Sequence, residues 1–152
     1  MGTGKSAVGH RLRVRYEVDE LDERFEREYG GTIASYFERY GEAGFRLRES
    51  ELLRDSQLEI VVTGGGIIER QENRTFMQTT GTVIWIDTPF DLIWERIAAD
   101  PKRPLVIERQ QVRRLFERRY PLYAEVASVR LEGTKSIDEL VHSIESVLEE
   151  KS

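Results

Sequence analysis

The stretch MGTGKSAVG, Met1 to Gly9, decides how the rest of the chain is read. Gly4, Lys5 and Ser6 form the closing triplet of the phosphate-binding loop G-x-x-x-x-G-K-[ST], with Gly2 and Thr3 in its variable part and Ala7 at the start of the helix behind it. In such a loop the backbone N–H groups of Gly2, Thr3 and Gly4 cradle phosphate oxygens at a helix N-terminus. Lys5 reaches the β- and γ-phosphates, and Ser6 offers a hydroxyl to Mg²⁺. The same signature calls for a leading strand and a first glycine. The expectation is that roughly six to ten residues, an apolar strand ending in Gly plus one residue, belong ahead of Met1.

Beyond the loop, short β-type runs alternate with longer amphipathic segments. Strands are expected at Val14 to Val18, Leu58 to Thr63, Thr82 to Asp87 and Ser128 to Leu131. The runs LEIVVT and TVIWID are almost continuously apolar, which suits parallel strands covered on both faces. Helix starts are marked at TPFD, with Thr88 as N-cap, Pro89 at the first helical position and Asp91 at the third. They are marked again at SIDE, where Ser136 and Glu139 form a capping box before a last helix from Leu140 to Glu149. The polar segment Thr32 to Asp55 reads as one or two helices broken near Gly41 and Gly44. Strands alternating with helices define an α/β fold with a parallel sheet.

The bulk numbers narrow the function. A length of 152 residues suits one domain, and no apolar run reaches the roughly 18 residues of a membrane span. A formal charge of -5 speaks against nucleic acid as the main partner. The absence of cysteine excludes a disulfide scaffold and fits a reducing cytoplasm. Of 23 basic residues only Lys5, Lys102, Lys135 and Lys151 are lysine. Arginine is the side chain that grips carboxylate and phosphate bidentately, although a genomic base bias would also favour it.

Two further stretches carry chemistry. Gly64, Gly65 and Gly66 follow the carboxyl end of an expected buried strand, where open α/β sheets bind ligands and where a missing Cβ lets backbone approach them. The acidic run EVDELDERFE can orient a hydroxyl or hold Mg²⁺ through water, or simply complement a helix N-terminus. The segment ADPKRPLVIE, with two prolines and a charge cluster, reads as a mobile loop.

Taken in order, GTGKS, LDERFEREYGGTIASYFERYGEAGFR, VVTGGG, DPKRPL and ERRYPLYAEVA resemble the shikimate kinase family over essentially the whole chain. The resemblance implies a three-layer P-loop kinase fold of the nucleoside-monophosphate-kinase type. It implies a single domain over 1–152, a substrate-binding helical segment over about 22–55 and a short lid over about 100–112. It implies transfer of the γ-phosphoryl of MgATP to the 3-hydroxyl of shikimate, by a cytoplasmic monomer with no nucleic-acid or membrane partner. By the same resemblance Asp22 is the base at the acceptor hydroxyl. Glu20 takes the magnesium-side acidic position, with Asp19 as the alternative. Arg46, Arg119 and Gly64 to Gly66 hold the shikimate carboxylate and ring, Arg103 is the lid arginine at the phosphoryl group, and Arg96 flanks adenine. Another small-metabolite kinase, such as a gluconate kinase, and a binding or regulatory relative that has lost catalysis are the rival readings.

Overall fold

The computed structural model describes residues 3–100 and 108–151. Its elements alternate as expected. Helix α1 (Lys5–Leu12) leads to β1 (Val18–Glu20), α2 (Leu21–Tyr29), α3 (Ile33–Asp55) and β2 (Ile60–Val62). A 3₁₀ turn (Gly65–Glu69) then precedes α4 (Gln71–Thr80), β3 (Ile84–Asp87), α5 (Phe90–Ala99), α6 (Arg109–Val126), β4 (Val129–Glu132) and α7 (Ile137–Lys151). Among these residues no helix is long and apolar enough to cross a membrane.

Both strand pairs among the described residues are parallel. β1 pairs with β2 in the register Val18 to Ile60, and β3 pairs with β4 in the register Ile84 to Val129. The two pairs remain separate, and a cavity of about 420 Å³ lies between them, walled by Ile60, Val62, Ile84 and Ile86. That opening leaves β3 half-buried along its length, although its continuous apolar run predicts cover on both faces.

Three buried clusters hold the layers. Leu21, Phe25, Phe45, Leu52 and Ile67 join α2, α3 and the 3₁₀ turn. Val8, Leu12, Val18, Val62, Leu140 and Ile144 clamp α1 and α7 over the first strand pair. Phe90, Ile93, Ile97 and Val112 tie α5 to α6. The long polar segment is two helices joined across a kink at Gly41, whose φ of 76° and ψ of 174° are readily adopted by glycine.

Three sequence expectations shift. Val14 to Val18 is not a strand, because α1 ends in a turn in which the N–H groups of Val14, Arg15 and Tyr16 return to Arg11 and Leu12; the strand begins only at Val18. Val14 is therefore left 82% exposed. Helix α5 starts one residue later than TPFD suggests, with Pro89 at the N-cap. Thr88 cannot serve there, since its side chain is buried against Gly133, with Oγ1 lacking a hydrogen-bond partner. The capping box at Ser136 and Glu139 forms reciprocally, at 3.1 and 3.2 Å, but α7 already starts at Ile137.

Candidate active site

Gly4 has φ 85° and caps α1, a left-handed conformation that turns the loop into the helix and that side chains rarely adopt. Thr3, Gly4, Lys5 and Ser6 thereby border a cavity of about 510 Å³. Asp22 from the first turn of α2, Arg46 and Glu49 from α3, Gly64 to Gly66 after β2, Arg96 from α5 and Arg119 from α6 border the same cavity. Residues from six segments, far apart in sequence, thus converge on one space. Ala7 is exposed on α1. Gly2, Arg103 and the lid positions 101–107 lie outside the described residues.

The acceptor end is built around opened backbone. A Cβ placed on Gly64 would lie 3.0 Å from Oδ1 of Asp22 and 3.2 Å from Oε2 of Glu49. One placed on Gly66 would lie 2.6 Å from Cζ of Arg46. The triple glycine is therefore what lets a carboxylate and a guanidinium press against the strand end. Arg46 donates from Nη1 to Oε1 of Glu49 at 3.0 Å. Arg119, only 6% exposed, donates from Nη2 and Nε to Oε2 of Glu69 at 2.9 and 3.3 Å. Tyr123 Oη donates to the Gly65 carbonyl at 2.6 Å and braces the glycines from α6.

Glu49 was not marked by the sequence motifs. It is 3% exposed, and its Oε2 has no hydrogen-bond partner. Burial pushes its carboxyl up; the Arg46 charge and hydrogen bond pull the other way, and the Asp22 charge adds to the rise. Its signal in the sequence is the spacing of three from Arg46, which puts both on one face of α3.

Glu20 and Asp19 separate in space. Glu20 caps α2 by accepting from the Glu23 N–H at 2.7 Å, with Lys5 and Asp22 close enough to act on its charge. Burial raises its carboxyl against the opposing effect of that N–H. Asp19 instead accepts from Arg24 at 3.0 Å and from Ser56 at 2.6 Å, on the side of α2 and α3. Glu20 thus has an electrostatic link to Lys5 of the phosphate loop. Among the described residues no three acidic or histidine side chains form a metal site by themselves. A loop hydroxyl, a nearby carboxylate and phosphate oxygens are the donors that suit Mg²⁺. Arg96 lies over the loop, with Nη1 3.7 Å from where a Cβ on Gly4 would stand.

A left-handed glycine before Lys-Ser at a helix start, facing a pocket that Asp22, Glu49, Arg46, Arg96 and Arg119 border, defines a small P-loop phosphotransferase. The family model "Shikimate kinase" matches residues 1–149. A shikimate kinase of Persephonella marina is 38% identical over 95% of this chain and 92% of that protein. One of Aromatoleum aromaticum is 36% identical over 88% of this chain and 81% of the other. The solved structure of the Acinetobacter baumannii shikimate kinase in complex with shikimate superposes with a TM-score of 0.88 at 36% identity, covering 100% of this chain and 90% of that one. The Aquifex aeolicus enzyme gives 0.81 at 34% identity, over 99% and 92%. The chain belongs to the shikimate kinase family.

Proposed function

We propose that this chain transfers the γ-phosphoryl group of ATP to the 3-hydroxyl of shikimate, releasing ADP and shikimate 3-phosphate in aromatic amino acid synthesis. The observation that carries the reading is the shared cavity: Lys5 of the phosphate loop, Asp22, and the Arg46–Arg119 pair border one space floored by Gly64 to Gly66. ATP and shikimate are both anions, and a chain of net charge -5 meets them with cations gathered from separate segments.

In this mechanism Arg46 and Arg119 hold the acceptor carboxylate, which fixes the ring so that its hydroxyl faces Asp22. Asp22 accepts the hydroxyl proton as oxygen attacks phosphorus, the bond from γ-phosphorus to the bridging oxygen breaks, and ADP leaves with that oxygen. Lys5 and the loop N–H groups bear the charge on the transferred group. Ser6 and Glu20 would hold Mg²⁺. Bound there, the ion would neutralise phosphate charge. Arg96 packs beside the adenine, and Arg103 belongs to the lid. The protein acts as a cytoplasmic monomer on small molecules, a placement consistent with its lack of cysteine.

A coupled assay of ADP release with shikimate, with gluconate and with neither tests the assignment. Turnover dependent on shikimate supports it. Turnover with gluconate alone, or shikimate binding without turnover, replaces it with one of the rival readings.

A further inference from the structure

Glu69 closes the 3₁₀ turn that follows the triple glycine, and it does not border the acceptor cavity. Its carboxylate nevertheless touches three arginines. Oε2 accepts from Nη2 and Nε of Arg119 and lies 3.8 Å from Nη2 of Arg46, while Oε1 pairs with the exposed Arg118. Arg46 and Arg119 come from different helices, α3 and α6, and two guanidiniums converging on one cavity repel each other. A carboxylate behind both offsets that repulsion. It also occupies the Nε–Nη2 edge of Arg119, which sets the plane of a guanidinium that borders the cavity. The contact is partly enclosed: the Glu69 side chain is 20% exposed and that of Arg119 8%. Burial works to raise the Glu69 carboxyl, but the Arg119 and Arg118 guanidiniums outweigh it and hold the group below the ordinary carboxylate range. Glu69 therefore stands as a fixed anion.

We propose that Glu69 is a positioning residue that orients Arg119 and Arg46 for the carboxylate of the acceptor. The proposal rests on the reading that these arginines bind that carboxylate. Glu69 touches no substrate and takes no part in phosphoryl transfer, so its effect falls on acceptor binding alone. Uncharged Gln keeps the shape and one acceptor oxygen but frees Arg119 to rotate. A misplacement of about 1 Å in a substrate-holding group costs up to 100-fold.

The test is steady-state kinetics and calorimetry on Glu69→Gln, Glu69→Asp and Arg119→Ala, with melting temperatures for each. Glu69→Gln is expected to raise KM and Kd for shikimate about 10-fold or more, with kcat and the KM for ATP within about twofold of the parent. Glu69→Asp keeps the charge on a shorter arm and should fall between the two. Loss of kcat, ATP affinity and melting temperature together would mark a merely structural residue and overturn the proposal. So would tighter shikimate binding, or Glu69→Asp no better than Glu69→Gln. If Arg119→Ala weakens shikimate and Glu69→Gln does not, the positioning role alone fails. If neither changes shikimate affinity, the acceptor-site reading falls with it.

Discussion

Replacing Gly66 by alanine adds one carbon where the structure has no room for it. The backbone there is a 3₁₀ turn with ordinary negative φ, so alanine brings no conformational strain of its own. The conflict is with Arg46. A Cβ at Gly66 falls 2.6 Å from the guanidinium carbon, and carbon atoms separate to about 3.5–4.0 Å, so Arg46 must retreat by roughly 1 Å. Retreat stretches its 3.0 Å hydrogen bond to Glu49, whose carboxylate is 3% exposed and already has one unpartnered oxygen. Leaving such a group unsatisfied costs about 1–3 kcal/mol. The expected result is a rise in KM for shikimate of up to about 100-fold, from a misplacement of about 1 Å, with ATP affinity unchanged. A coupled kinase assay and calorimetry with each substrate measure it, and a thermal melt records the loss of stability. Unchanged shikimate affinity in a folded Gly66→Ala protein would mean that the position of Arg46 does not matter to the acceptor.

Lys5→Ala should abolish turnover while leaving the fold nearly intact, because Lys5 is a half-buried residue of the loop whose charge meets the β- and γ-phosphates; activity within a few-fold of the parent, alongside an unchanged melt, would remove it from the phosphate site. A pH effect follows from Glu49. Burial raises its carboxyl above the ordinary value of 4.5, so the folded protein keeps this proton at pH values where the unfolded chain has lost it. Its contribution to stability is full below 4.5 and fades as pH rises through the raised value. Glu49→Gln removes that component, so the difference in melting temperature between variant and parent should change across this range; a constant difference refutes it.

The loop, the triple glycine and the two arginines are legible in the sequence because each is a short motif with a fixed chemical job. Their meeting in one cavity is a tertiary fact. Glu49 and Glu69 escape a motif reading for a physical reason. Each acts on an arginine rather than on a ligand, and the chain is so rich in glutamate that only the tertiary contacts with Arg46 and Arg119 tell these two from the rest. The strand at Val18 to Glu20 was misplaced by four residues because the β-branched Val14 and Val18 bracket a turn fixed by backbone hydrogen bonds to Arg11 and Leu12, which composition does not reveal. Thr88 shows the opposite failure. The local capping signal was present, but the contact with Gly133 took the side chain elsewhere.

The gap between the two strand pairs is a definite feature of the fold. β2 and β3 belong to separate pairs, and the apolar cavity between them runs from Glu59 and Thr82 at one end to Thr3 and Thr88 at the other. A strand laid parallel to both would offer backbone partners to each inner edge and would end where the chain enters the phosphate loop. Its side chains would meet Ile60, Val62, Ile84 and Ile86. Burying a Val or Ile side chain is worth about 1.5–3 kcal/mol, and in a domain of this size each kcal/mol moves the midpoint by about 2–4 °C. Two inward side chains alone therefore shift it by roughly 6 °C or more. The measurement compares this chain with one carrying five β-branched residues and a Gly-x pair ahead of Met1, by thermal melt and by binding of a hydrophobic reporter dye. The extended chain should melt higher, bind less dye and bind ATP more tightly, since the added strand anchors the loop from behind. Equal melts and equal dye binding would show that the cavity does not take a strand and that the two strand pairs are held apart by their helices alone.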